Sequence, residues 1–156
     1  MYYSIKTETH EAISTPSFSF LLYYILRKKE AAEAGIDSIE HGTYLDEAAA
    51  KAMKANGTVL VPTLMALEGV SEGLGKGVYT PVVEDKIRAV QPLMASLVSR
   101  ARQYGVTVAF GTDAGVFAHG KNWMEFVYMT EAGMPAIEAI QCATRNAAQL
   151  LGEWER

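Results

Sequence analysis

The sequence predicts an α/β fold in which short buried strands alternate with helices. Three short apolar runs, at residues 36–40, 58–61 and 106–110, are rich in β-branched side chains, as buried strands are. Segments with apolar residues at helical spacing follow these runs. Because strands that alternate with helices form parallel sheets with right-handed crossovers, we expect consecutive parallel βα units.

The first unit joins strand 36–40 to a helix with recognisable ends. Asp46 is a candidate N-cap for a helix over Glu47–Asn56, and Leu45 precedes it as a candidate hydrophobic staple. Gly57 is the expected C-terminal stop.

The second unit begins with strand 58–61 and contains an irregular segment. Residues 66–81 carry repeated glycines without an apolar period, which favours a loop: either a mobile lid over a substrate or a long connection. A long helix over 82–104 follows, with Pro92 as its expected kink and Gly105 as its end.

The third unit begins with strand 106–110 and continues into two helices. Asn122 is a candidate N-cap for the first of them, and Glu125, three residues on, completes a capping-box pattern. Pro135 suits the first turn of the last helix, which is expected to stop at Gly152.

Composition excludes several classes of function. The 156 residues are 49% hydrophobic with a net charge of −4, and they show no basic stripe for nucleic acid. The longest apolar run, 18–26, is about half of what a membrane-spanning helix needs. Basic residues follow this run instead of preceding it, unlike a secretory signal. The single cysteine, Cys142, excludes an internal disulfide, and we expect a cytoplasmic protein without nucleic-acid or membrane partners.

Two polar side chains follow predicted strands at the edge where parallel α/β folds hold their active sites. His41 follows the first strand, and Asp113 follows the third within V-T-V-A-F-G-T-D-A-G (106–115). Imidazole and carboxylate ligands suit a divalent metal such as zinc, although strand-end polar residues also cap loops. His119 is a candidate substrate contact or proton donor, with a solvated loop histidine as the alternative. Glu40 and Cys142 are interpreted as structural.

Several motifs resemble the amidohydrolase superfamily, nearest its Xaa-Pro dipeptidase and imidazolonepropionase-like branch. They are A-G-I-D-S-I-E-H-G (34–42), V-P-T (61–63), F-G-T-D-A-G-V-F-A-H-G (110–120) and A-T-R-N-A-A-Q-L-L-G (143–152). The likeness covers residues 31–152. It implies the last three βα units of a TIM-type (β/α)₈ barrel, which takes about 250 residues when complete.

The resemblance implies a role for each candidate residue. His41 corresponds to the metal-binding histidine after the sixth strand. Asp113 corresponds to the aspartate after the eighth strand, which binds metal, accepts the proton of the attacking hydroxide and passes it to the leaving amine. His119 falls near the substrate pocket. The implied activity is hydrolysis of amide C–N bonds, in particular of Xaa-Pro dipeptides, with zinc or alternatively manganese.

The chain also departs from the family pattern. The H-x-H pair after the first strand and the bridging lysine after the fourth are absent, and residues 1–30 form a divergent, partly helical segment in which His10 lies too far from His41. Residues 31–152 are the partial barrel domain and 153–156 a tail. We expect the chain alone to bind metal weakly and to be inactive, with a second copy or a complementary chain as partner. The alternative is a non-catalytic α/β module; phosphoryl chemistry at Asp113 is disfavoured because no phosphate-binding loop is present.

Overall fold

The structure, a computed structural model, describes residues 27–153 of the chain. The expectations for residues 1–26 and 154–156 lie outside the described residues. The elements in chain order are α1 (27–33), β1 (Ser38–Glu40), α2 (Glu47–Asn56), β2 (Val59–Val61), α3 (Leu64–Ser71), α4 (Pro81–Ala95), α5 (Leu97–Tyr104), α6 (Met124–Glu131), α7 (Ala136–Gln141), a π-helical turn (Cys142–Asn146) and α8 (Ala147–Leu150).

The predicted parallel sheet is present, but it is smaller than expected. β1 and β2 pair in parallel, with Ile39 opposite Leu60. The third predicted strand forms only a single parallel bridge, between Leu60 and Val108. In that bridge the Leu60 N–H donates to the Thr107 carbonyl, and the Ala109 N–H donates to the Leu60 carbonyl, each at 2.9 Å.

The far side of the third segment is covered by the C-terminal helices. The Asn146 side chain donates to the Val108 carbonyl at 2.8 Å, and the Phe110 N–H donates to the Cys142 carbonyl at 3.0 Å. The backbone groups on this side of the third segment are therefore already bonded. Residues of the C-terminal helices bond the groups that a further strand would need there.

Helix α2 has the ends that the sequence predicts. The Asp46 carboxylate accepts a hydrogen bond from the Ala49 N–H at 2.7 Å, and Gly57 closes the helix in the left-handed conformation with φ 73°.

The prediction of a loop over 66–81 is wrong for residues 66–71, whereas residues 72–79 form turns and bends. Helix α3 occupies Leu64–Ser71 and buries its first turn, so the tertiary contacts of this segment override its weak helical pattern. A Cβ built on Gly69 would lie 3.0 Å from the Cβ of Phe117, so this glycine allows α3 to approach the loop that follows Asp113.

The long helix predicted over 82–104 is divided, at a different residue from the expected one. α4 continues through Pro92, and the break comes at Ser96. The Ser96 hydroxyl donates to the Leu93 carbonyl at 3.2 Å, and a guanidinium nitrogen of Arg100 donates to the same carbonyl at 2.7 Å. Side chains thus satisfy a carbonyl that the break removes from the helical ladder.

The capping box predicted at Asn122 is also wrong. α6 begins at Met124, and the Asn122 side chain donates instead to the Thr112 hydroxyl at 2.9 Å. The Glu125 carboxylate bonds the first turn of α3 rather than the start of its own helix. Short sequence spacing suggested a local bond, whereas the folded chain offers Glu125 a distant partner.

The hydrophobic core lies between the sheet and the helices that cover it. Its largest fully buried apolar side chains are Leu45, Met53, Leu60, Leu97, Val98 and Met129. Cys142 is buried beside Met134, and burial raises the pKa of its thiol to about 11, which supports its structural interpretation. None of the helices within residues 27–153 is long and apolar enough to cross a membrane.

Candidate metal centre

Three strand ends place three polar side chains at one edge of the sheet. His41 follows β1, Thr63 follows β2 after Pro62, and Asp113 follows the third segment. Within residues 27–153 these are the non-glycine residues with positive φ, at 65°, 48° and 53°. Such backbone costs about 1–3 kcal/mol at each residue and persists where the surroundings impose it, typically at functional sites. We call these three residues the strand-end triad.

His41 and Asp113 face each other in this triad. The His41 Nε2 atom lies 3.9 Å from an Asp113 carboxylate oxygen. The two side chains are 50% and 44% exposed, so the space between them is open to solvent and to a small substrate. The two residues that the sequence singled out as metal ligands are therefore brought together.

Thr63 fixes the orientation of the His41 ring. Its hydroxyl donates to the Pro62 carbonyl at 2.8 Å, so its only hydrogen is already used. With the hydroxyl hydrogen on the Pro62 carbonyl, we assign the contact of 2.5 Å with His41 Nδ1 as a hydrogen bond donated by Nδ1–H to the Thr63 oxygen. In the neutral ring this leaves the lone pair on Nε2, the atom that faces Asp113.

The donor set fits a divalent cation. A neutral His41 presents the lone pair of Nε2 toward a carboxylate oxygen of Asp113, so two electron-pair donors face the same space and can bind one cation together. Their 3.9 Å separation is below the sum of two metal–ligand distances, which is about 4.2 Å for zinc. Metal-binding histidines also commonly hold their second nitrogen in a hydrogen bond, as Thr63 does here.

The comparisons with known proteins agree with this geometry. Residues 27–153 match the Amidohydrolase family. The chain belongs to that family. A crystal structure of a Xaa-Pro dipeptidase with bound methionine in the active site aligns with a TM-score of 0.77 and 45% identity, over 83% of this chain and 32% of that chain. The members of this family are hydrolases, and they typically use divalent metals.

Two further relatives extend the comparison. The ochratoxinase of Aspergillus niger is 34% identical over 123 residues, 78% of this chain and 25% of the relative. An A. niger ochratoxinase crystal structure aligns with a TM-score of 0.69 and 30% identity, over 80% of this chain and 28% of that chain. An uncharacterised protein of Mycobacterium bovis is 38% identical over 123 residues, 76% of this chain and 32% of the relative. This amidohydrolase chain thus spans about a third or less of its relatives, and its small parallel sheet corresponds at a coarse level to part of their barrel.

The remaining candidate residues take other positions in this amidohydrolase chain. His119 is exposed in the loop between Asp113 and α6, where its role as a substrate contact stays a prediction. Glu40 is exposed and accepts a hydrogen bond from the Ser38 hydroxyl at 2.8 Å. Within residues 27–153 no group of three or more His, Cys, Asp and Glu side chains is arranged to hold a metal.

Sequence reasoning missed two residues that support the site. Thr63 stands at a strand end like His41 and Asp113, so the same positional rule could have selected it. Glu125 is completely buried, and burial raises the pKa of its carboxyl to about 7, although the Met65 and Leu64 N–H groups that it accepts from act in the opposite direction. The local spacing singled out Glu125 only as a cap of its own helix, and no local signal indicates its actual partners, which lie 60 and 61 residues away.

Proposed function

We propose that His41 and Asp113 are two of the metal ligands of an amidohydrolase centre that cleaves amide C–N bonds. The observation that carries this proposal is the pair itself: Nε2 of His41 and a carboxylate oxygen of Asp113, 3.9 Å apart at the carboxyl edge of a parallel sheet. Both residues stand on strained backbone, and Thr63 orients the ring. Membership of a hydrolase family supports this assignment.

Each side chain has a distinct part in this proposal. A divalent cation at such a site supplies Lewis-acid polarisation of a carbonyl and a more acidic water. His41 offers a neutral Nε2 ligand, because Nδ1–H is held by Thr63. Asp113 offers a carboxylate that is 44% exposed, so it can accept a proton and then release it to a leaving amine. His119, in the loop after Asp113, is proposed to contact the substrate.

The proposed substrate is small, with a dipeptide of the Xaa-Pro type as the specific candidate. The support is the 45% identity to a structure described as a Xaa-Pro dipeptidase. Zinc is the proposed metal and manganese the second choice, because imidazole and carboxylate ligands bind both.

The proposal also limits what the chain does alone. Catalytic metal centres use three or more protein ligands, and residues 27–153 offer no group of three. We therefore propose weak metal binding by the chain alone and no dipeptide turnover. Further ligands would come from outside the described residues, from a second copy or from a complementary chain, and residues 31–152 act as the partial barrel domain.

Calorimetric titration with Zn²⁺ and Mn²⁺ tests the proposed ligands. We expect His41→Ala and Asp113→Asn to lower the metal affinity at least tenfold, since each removes one ligand. Asp37→Asn is the matched control, because Asp37 is an exposed aspartate at the opposite, amino end of β1. Equal affinity in all four proteins would contradict the assignment, and metal binding by none of them would favour a non-catalytic α/β module.

A parallel assay with Xaa-Pro dipeptides, in preparations free of other peptidases, tests the second part. No turnover is expected with zinc or manganese present. Turnover that disappears in Asp113→Asn would show that the chain completes the centre by itself. Light scattering on the same samples, with and without metal, identifies any assembly that forms.

A further inference from the structure

Helix α3 begins without a cap of its own. Thr63 occupies its N-cap position, where a threonine hydroxyl usually accepts a hydrogen bond from an N–H of the first turn. Here the hydroxyl makes no such bond. It donates to the Pro62 carbonyl and accepts from His41 Nδ1 instead.

The first turn of α3 is capped by a side chain from another helix. One carboxylate oxygen of Glu125 accepts from the Leu64 N–H at 2.9 Å, and the other accepts from the Met65 N–H at 2.8 Å. Glu125 is completely buried, where a carboxylate is unfavourable unless it is well bonded. The positive end of the α3 dipole provides the environment that such a group needs.

We propose that Glu125 is a positioning residue for His41: by capping α3 in place of Thr63, it leaves the Thr63 hydroxyl free to hold the imidazole. The expected effect of Glu125 on metal affinity rests on the proposed function, whereas its expected effect on the tautomer of the His41 ring does not. The hydrogen bonds of the Glu125 side chain go to the first turn of α3, so its proposed effect on His41 passes through that turn and through Thr63.

The physical reason lies in the competition for one hydroxyl. Without Glu125, the buried N–H groups of Leu64 and Met65 lose their acceptors, and an unpaired buried donor is unfavourable. The N-cap residue, Thr63, carries a hydroxyl that could replace them, but only if its backbone leaves the left-handed conformation for the extended one that a capping threonine adopts. When Thr63 moves in this way, His41 Nδ1 loses its partner, and the ring no longer has to keep its proton on Nδ1.

Nuclear magnetic resonance of the metal-free chain labelled with ¹⁵N-histidine tests this inference at pH 8, where histidine is neutral. In the wild-type chain we expect the His41 signals of the Nδ1–H tautomer. In Glu125→Ala we expect a shift toward the Nε2–H tautomer, and in Glu125→Gln, which keeps one of the two acceptors, a smaller shift. The spectrum of His41→Asn assigns the signals.

Helix α2 supplies the matched control. Asp46→Ala removes the N-cap of α2, which is also a carboxylate that accepts from a backbone N–H of the first turn. This bond joins Asp46 to Ala49 and does not involve His41. We expect this variant to lose stability without any change of the His41 tautomer. An unchanged tautomer in folded Glu125→Ala and Glu125→Gln overturns the inference and leaves Glu125 a structural residue only.

A second variant keeps the test decisive if both Glu125 variants fail to fold. Thr63→Val removes the hydroxyl and leaves Glu125 on α3, and we expect the same tautomer shift as in Glu125→Ala. If His41 keeps its Nδ1–H form in Thr63→Val, the route through Thr63 is excluded.

Zinc titration of the same proteins separates this inference from the proposed function. Loss of an outer hydrogen bond to a metal-binding histidine typically lowers affinity by about tenfold or more, and we expect such a decrease in Glu125→Gln and Thr63→Val. A tautomer shift without zinc binding by the wild-type chain would contradict the proposed function alone. Zinc binding that is equal in wild type and variants, without a tautomer shift, would contradict the positioning role alone.

Discussion

Helix α2 and the strand-end triad meet the same two requirements in opposite ways. In both regions the backbone takes the left-handed conformation, and in both the first turn of a helix, α2 or α3, needs acceptors for its N–H groups. α2 places Gly57 at its left-handed position and Asp46, its own neighbour, at its N-cap. The triad places His41, Thr63 and Asp113 at left-handed positions, and the helix that follows Thr63 depends on an acceptor 60 residues away. α2 uses residues that favour stability, whereas the triad keeps side chains that favour chemistry.

The largest expected effect comes from a pair of glycines with similar backbone. Gly42, next to His41, has φ 61°, and a Cβ there would overlap the buried Leu60 side chain. Gly57, at the end of α2, has φ 73° and open space around the same position. We expect Gly42→Ala to lower the free energy of unfolding by about 2–5 kcal/mol through strain and overpacking. For Gly57→Ala the loss is about 1 kcal/mol from strain alone.

Urea unfolding followed by circular dichroism measures both variants. Similar losses would mean that the strand end near Gly42 relaxes as easily as the open end of α2, which would contradict the tight packing under the triad.

A pH series tests the buried cap of α3. The pKa of Glu125 is raised from 4.5 to about 7, so between these values the folded chain binds more protons than the unfolded chain. The stabilisation from this group is fully present below about pH 4.5 and is lost as the pH rises through about 7, by as much as about 3 kcal/mol. Unfolding in urea at several pH values between 4.5 and 8 measures the slope. Glu125→Gln should flatten it, while Asp46→Asn should keep it; equal slopes in wild type and Glu125→Gln would contradict the assignment to Glu125.

These effects also show what the sequence could and could not predict. The bounds of α2 were predicted correctly because Asp46 and Gly57 act on their neighbours. The interpretation of Asn122 and Glu125 as a capping box was wrong, and so was the loop prediction over residues 66–71, because Glu125 and α3 meet only in the folded chain. The positions of His41 and Asp113 at one edge followed from the parallel topology, but Thr63 needed the structure to show its bond to the ring.

Removal of the local cap gives a smaller effect. Asp46→Ala should lower the free energy of unfolding by about 1 kcal/mol, the usual value for an N-cap, because the Ala49 N–H loses its acceptor. Zinc affinity measured by calorimetry should stay at the wild-type value. A change in affinity would indicate that α2 and the triad are coupled, and the contrast between them would then fail.

The smallest expected effect is a gain in stability at the triad. Asp113→Gly removes a side chain from a left-handed position with φ 53°, which glycine adopts without steric strain. We expect the free energy of unfolding to rise by about 0.5–1 kcal/mol and zinc affinity to fall at least tenfold. A loss of stability would mean that Asp113 makes a stabilising contact that outweighs its strained backbone.

The C-terminal helices make the two edges of the short sheet different. The Val108 carbonyl and the Phe110 N–H are hydrogen-bonded to Asn146 and Cys142. A strand from another chain would have to displace these helical residues before it could pair there. Among residues 27–153 no strand pairs with the outer side of β1. Further strands therefore cannot pair with the sheet beyond Val108. Because one edge of every copy is blocked in this way, copies of the chain cannot join edge to edge into a continuous β-sheet.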